Sequence, residues 1–147
     1  MKARYKKSYR GVYNLTAHLV FVTKYRHNIL NAQLQKELEK VFSSILETRK
    51  GELIEFNGES DHVHLIVSYM PQISVSNLVA NLKATSSKYM WNTHQDYLSK
   101  TYYKKRVFWT GSYFVASCGG ITIETLRQYV EQYAKRYPLG QDRPCDL

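Results

Sequence analysis

The sequence predicts an α+β fold of the ferredoxin-like (RRM-like) kind, an antiparallel sheet with helices on one face plus one C-terminal helix. Three observations lead there. Short blocks rich in β-branched and aromatic residues recur at four places, and two longer segments place apolar residues at helical spacing behind a capping residue. Taken in order, the pieces run β-α-β-β-α-β and then a last helix, which is the split βαβ plan. At 147 residues the chain is long enough for one domain with a real core.

Each element has a local justification. Residues 1–11 read as a flexible basic arm, since Lys2, Arg4, Lys6, Lys7 and Arg10 stand there without apolar periodicity. Residues 12–147 form a single domain. Tyr13 to Thr23 is dense in β-formers and reads as the first strand, ending in the cluster Lys24-Tyr25-Arg26-His27. Asn31 is a good N-cap for a helix to about Arg49, on which Leu34, Leu38, Val41, Phe42 and Ile45 share a face and which Gly51 ends. Glu52–Asn57 and His62–Tyr69 read as a hairpin turning over Gly58–Asp61, with Pro71 closing it. Ser74 or Ser76 caps a helix to about Trp91, with Val75, Leu78, Val79, Leu82 and Tyr89 as its apolar stripe. Residues 92–111 are mixed, and Tyr102-Tyr103-Lys104-Lys105-Arg106 is their clearest basic-aromatic stretch. Ser112–Cys118 reads as the final strand and Gly119-Gly120 as a flexible break. Thr122 then caps a helix to about Tyr137, which Pro138 stops.

Composition narrows the partners. A net charge of +9 with 13 Tyr, 5 Phe and 2 Trp suits nucleic acid, where cations meet phosphates and rings stack on unpaired bases. A solvated basic surface would carry the same charge. Cys118 and Cys145 lack metal-type spacing and read as free thiols in a reducing compartment. No apolar run approaches the roughly 20 residues that span a bilayer. The basic N-terminus lacks the apolar core of a signal peptide, so a cytoplasmic location is expected.

The sharpest chemical signal is His62-Val63-His64 inside an apolar run. Residues i and i+2 of a strand face the same way, so the two imidazoles stand side by side on a rigid support. Neutral imidazole is the commonest metal ligand, although two half-buried histidines bonded to polar neighbours would leave the same pattern. On the last helix Leu126, Tyr129, Val130, Tyr133 and Tyr137 keep to one face, and taken alone these tyrosines are most simply core. Beside a bound cation, however, a phenol is a usable nucleophile toward a phosphodiester. Gln132 lies i+3 from Tyr129 and offers an amide oxygen to a hard cation, or it is a solvated polar residue.

Four blocks together carry a resemblance: His18-Leu19-Val20-Phe21-Val22-Thr23-Lys24-Tyr25-Arg26, Asp61-His62-Val63-His64-Leu65-Ile66-Val67, Phe108-Trp109 through Ser112-Tyr113-Phe114-Val115-Ala116-Ser117, and Ile123 to Gln132. In this order they resemble the single-tyrosine HUH transposases of bacterial insertion sequences (TnpA-like), over nearly the whole chain. The resemblance implies that His62 and His64 bind Mg²⁺ or Mn²⁺ and that Tyr129 is the catalytic tyrosine. It implies cleavage and rejoining of single-stranded DNA at hairpin-marked element ends, through a 5′-phosphotyrosine link that leaves a free 3′-OH. It also implies a homodimer, with Gly119 and Gly120 as a hinge before the tyrosine helix. One position departs from the family pattern, which has Gln four residues after the nucleophile. Here that residue is Tyr133, and Gln132 comes one residue early, about 100° away around a helix. Gln132 is taken as the third metal ligand, with Tyr133 or water as alternatives.

The DNA-binding candidates are Arg4, Lys6, Lys7, Arg10, Lys24, Arg26, Lys83, Lys88, Lys104, Lys105 and Arg106, each of which would serve equally as a solvated charge. The alternative function is a non-catalytic or domesticated single-stranded nucleic-acid-binding protein on the same sheet. A two-histidine phosphoesterase would need a second histidine motif, which His18, His27 and His94 do not make.

Overall fold

Two strands are buried along nearly their whole length, and the rest of the molecule is arranged around them. β3 (Thr16–Val22) and β5 (His62–Ser68) pair antiparallel, with Val22 opposite His62 and Val20 opposite His64. A strand covered on both faces reads as a continuous apolar run, as both of these do. In this computed structural model, residues 6–8 and 11–117 are described. The expected C-terminal helix, the hinge at Gly119 and Gly120, and both cysteines lie outside them.

The chain order is β1 (Lys6–Ser8), β2 (Gly11–Tyr13), β3, a single 3-10 turn (Lys24–Arg26), α1 (Ala32–Thr48), β4 (Glu52–Gly58), β5, α2 (Val75–Thr93), α3 (Gln95–Ser99) and β6 (Phe114–Ser117). The main sheet runs β4-β5-β3-β6, every pair antiparallel, which is the ferredoxin-like order the element sequence predicts. α1 and α2 pack on one face. Leu34, Leu38 and Phe42 of α1 and Leu78 and Leu82 of α2 close over Leu19, Phe21, Val63 and Leu65. Both N-caps are the expected ones: the Asn31 side chain accepts from the Leu34 N–H at 2.9 Å, and the Ser74 hydroxyl from the Asn77 N–H at 3.2 Å.

The structure differs from the sequence reading in five places. The strand expected over Tyr13–Thr23 is divided, with Tyr13 ending β2 and β3 starting at Thr16. Part of the arm expected at residues 1–11 is paired, since β1 and β2 form a small separate hairpin. α3 lies in the segment read as irregular, because five residues are too few to show a helical period. β6 starts at Phe114, two residues after the expected Ser112. At the end of α1 the left-handed residue is Lys50 (φ 58°), not Gly51. Gly51 is needed for another reason: a Cβ there would stand 2.5 Å from the Ser68 carbonyl oxygen.

Among the described residues β4 is an edge strand, and its pairing with β5 slips at Ile54, between Leu53 and Glu55, leaving a bulge there. No helix among the described residues is long and apolar enough to cross a membrane.

Candidate metal centre

His62 and His64 point to the sheet face opposite α1 and α2, with ring centroids 4.9 Å apart. Paired residues of antiparallel strands share a face, so Val22 and Val20 flank the rings on β3, in an apolar cluster completed by Phe114. Both histidines are nonetheless buried, at 6% and 8% exposure. His18, fully buried on the same face, brings a third ring to 5.7 Å from that of His64.

Asp61 fixes the chemistry of His62. Its Oδ1 lies 2.7 Å from His62 Nδ1, and its Oδ2 accepts from Arg26 Nε at 3.0 Å and contacts Nη2 at 2.8 Å. Burial works to raise the Asp61 pKa, but the His62 hydrogen bond and the Arg26 charge outweigh it and hold the carboxyl below its ordinary value. An ionised carboxylate only accepts, so His62 Nδ1 is the donor, and a ring with that one proton carries its lone pair on Nε2. That Nε2 is buried with no hydrogen-bond partner among the described residues. Such a group costs about 1–3 kcal/mol against a total stability of about 5–15 kcal/mol. A carboxylate on one ring nitrogen and an open second nitrogen is the arrangement of a metal-ligating histidine, so these residues fit a divalent cation. Among the described residues no third His, Cys, Asp or Glu completes a set with the pair. Tyr129, Gln132 and the alternative Tyr133 lie outside them.

Arg26 reaches Asp61 from an unusual backbone. Tyr25 and Arg26 both have positive φ, 59° and 54°, a conformation that costs an L-residue about 1–2 kcal/mol. Thr23 braces it: its hydroxyl donates to the His27 carbonyl at 2.7 Å, its N–H donates to the Asp61 carbonyl at 2.9 Å, and its own carbonyl accepts from the Arg26 N–H at 2.8 Å. The Tyr102 hydroxyl donates to the Lys24 carbonyl at 2.8 Å from the other side. Burial pushes the Tyr102 phenol well above its ordinary value.

The other candidate cations sort by what they touch. Arg26 sits on Asp61. Lys83 Nζ donates to the carbonyls of Thr110 at 2.5 Å and Ser112 at 3.2 Å, which ties α2 to the chain entering β6. Lys24 lies 5.1 Å from the centroid of the exposed Tyr25 ring. Lys88 is exposed on α2, and Lys104, Lys105 and Arg106 are exposed after α3. There the Arg106 guanidinium stacks on Trp91 at 5.1 Å and Lys104 lies 5.9 Å from the 75% exposed Tyr103 ring, a surface suited to phosphates and bases. Lys6 and Lys7 lie on β1, while Arg4 and Arg10 fall outside the described residues.

Sequence reasoning gave Asp61 no role. Its adjacency to the histidine pair was the available signal, but strand alternation sends neighbours to opposite faces. Asp61 escapes that rule by sitting in the bend before β5, where its side chain folds back on His62.

Comparison with known proteins gives the chain its family. Residues 11–133 match the family described as "Transposase IS200 like". The chain is 25% identical to the transposase of insertion sequence element IS200 from Salmonella typhimurium, over 88% of this chain and 83% of that one. It is 29% identical to the ISDra2 transposase TnpA of Deinococcus radiodurans, over 86% and 89%. A crystal structure of a Deinococcus radiodurans R1 protein assigned as a transposase superposes with a TM-score of 0.73 at 29% identity, covering 86% of this chain and 96% of that one. With its family matched across most of its length on a ferredoxin-like sheet, this chain belongs to the IS200-like transposases and is a DNA transposase.

Proposed function

We propose that the chain cleaves and rejoins single-stranded DNA at hairpin-marked element ends, as a homodimer, with Tyr129 as nucleophile. His62 and His64 hold Mg²⁺ or Mn²⁺, and Gln132 supplies a further ligand. The observation that supports this most is the pair of imidazoles 4.9 Å apart, one of them fixed by Asp61 with its second nitrogen open. A divalent cation held there supplies positive charge against the negative charge that develops on a phosphodiester under attack.

The Tyr129 oxygen bonds to phosphorus as the bond from phosphorus to the 3′ oxygen breaks. The phenolic proton is given up, and the departing 3′ oxygen takes a proton to become a hydroxyl. The phosphoryl group stays on the tyrosine and the 5′ end of the downstream strand. Attack by a new 3′-OH reverses the step, so rejoining needs no nucleotide triphosphate. Lys24, Lys88, Lys104, Lys105 and Arg106 contact phosphates of the bound strand, and Tyr103 offers a ring to an unpaired base.

Incubation with a hairpin-bearing single strand and Mn²⁺ is expected to trap a covalent adduct that Tyr129→Phe abolishes while hairpin binding stays nearly intact. An adduct that survives this substitution moves the nucleophile elsewhere. Binding without any adduct in the unaltered protein selects the non-catalytic nucleic-acid-binding alternative.

A further inference from the structure

We propose that Arg26 and Asp61 form a positioning device that keeps the proton of His62 on Nδ1 and so holds Nε2 open toward the cation. The inference rests on the reading of His62 and His64 as the metal pair. Three observations support it. Each Asp61 oxygen is committed to one partner, Oδ1 to His62 and Oδ2 to the Arg26 fork. Arg26 is delivered from two successive left-handed residues, and strain of that kind persists only where the surroundings enforce it. Thr23 supplies the enforcement and binds the Asp61 backbone in the same stroke, since its hydroxyl holds the His27 carbonyl at 2.7 Å while its N–H holds the Asp61 carbonyl at 2.9 Å. The turn and the bend before β5 are thereby one unit, and side-chain contacts connect Arg26 through Asp61 to His62.

The Arg26 contact has a consequence that a simple ion pair would not. In Asp61→Asn the guanidinium, which can only donate, claims the amide oxygen. The amide NH₂ is then turned toward His62 Nδ1, which must accept, so the ring proton moves to Nε2 and blocks the ligand atom. Asp61→Ala removes the carboxylate without imposing the wrong tautomer. The isosteric change is therefore more damaging to metal binding than the truncation, and Arg26→Gln, whose amide can also accept, relieves the damage.

The test is Mn²⁺ binding by the full chain, followed by the electron paramagnetic resonance of the free ion, beside long-range ¹H–¹⁵N spectra of the metal-free histidines. In the unaltered protein the His62 proton is expected on Nδ1. Arg26→Gln alone is expected to weaken Mn²⁺ binding several-fold and Asp61→Asn about 100-fold, the upper end of the range for a group that orients a metal ligand. Asp61→Ala should lose about 10-fold, and the Asp61→Asn, Arg26→Gln double variant should bind more tightly than Asp61→Asn alone. Hairpin binding in EDTA should stay within about 2-fold throughout, which also shows that the variants are folded. A His62 proton on Nε2 in the unaltered protein overturns the proposal, as does Asp61→Asn binding Mn²⁺ no worse than Asp61→Ala. Loss of hairpin binding in EDTA by Arg26→Gln, with Mn²⁺ binding unchanged, overturns it too and makes Arg26 a DNA contact. If His62→Ala binds Mn²⁺ as well as the unaltered protein, the metal pair itself falls and this inference with it. Normal loss in His62→Ala with no effect of Arg26→Gln sinks the positioning device alone.

Discussion

Two histidine–carboxylate pairs in this molecule look alike on paper and are built in opposite ways. At the start of β5, His62 and Asp61 meet at 2.7 Å on a buried face, with Arg26 behind the carboxylate. At the junction of α1 and α2, His94 Nε2 meets both Glu37 oxygens at 3.0 Å, with the Tyr89 hydroxyl on Oε1 at 3.0 Å. The first pair occupies Nδ1 and leaves Nε2 buried and open, whereas the second occupies Nε2 itself and clamps two helices. Proximity of a carboxylate to a histidine therefore says little about function. Which nitrogen it takes, and where the other one faces, says a great deal.

The largest effect expected from this contrast is on catalysis. His62→Ala should abolish detectable Mn²⁺ binding and lower adduct yield by about 10³-fold or more, while His94→Ala leaves both within about 2-fold. Comparable losses from the two would erase the distinction.

Next in size is the difference between committed and uncommitted cations. Replacing Lys104, Lys105 and Arg106 together by Ala should weaken single-strand binding about 10-fold or more near ~100 mM salt. It should also flatten the slope of log affinity against log salt by about 2, at ~0.7 for each phosphate no longer neutralised. Lys83→Met should leave that slope unchanged, because its ammonium lies on the carbonyls of Thr110 and Ser112. A slope that falls with Lys83→Met would return this residue to the DNA.

Smaller still is the clamp's own contribution. Glu37→Gln should destabilise the fold by about 0.5–1.5 kcal/mol in urea titrations at neutral pH, without changing adduct yield. Burial works to raise the Glu37 pKa, and the His94 and Tyr89 hydrogen bonds overcome it and bring the carboxyl below its ordinary value. A carboxyl whose folded pKa is depressed stabilises fully above its unfolded value, about 4.3, and loses that contribution as pH falls through the folded one. The stability gap between the unaltered protein and Glu37→Gln should therefore persist at about pH 6 and close below about pH 4. A gap that widens on acidification reverses the sign and rejects the clamp.

Much of this was legible in the sequence because local physics decided it. Asn31 and Ser74 announce their helices, since a short polar side chain ahead of an apolar stripe has few better uses than capping. The histidine pair was legible because a two-residue strand period leaves it no choice of face. What stayed hidden depends on contacts between distant residues. Thirty-five positions separate Arg26 from Asp61 and 27 separate Lys83 from Thr110, so nothing nearby tells a paired cation from a solvated one. Gly51 misled for a related reason: its lack of a side chain answers the Ser68 carbonyl on another strand, while Lys50 makes the left-handed turn.

The irregularity at Ile54 bears on how copies of the chain behave when crowded. An exposed strand edge is a template for another backbone, but here the ladder is kinked midway and Glu52 and Glu55 stand on either side of the kink. A second chain adding along β4 would have to straighten the backbone and bring its own groups against two carboxylates. That edge is a poor seed for sheet growth, and Glu55→Val is where concentrated solutions should first turn cloudy.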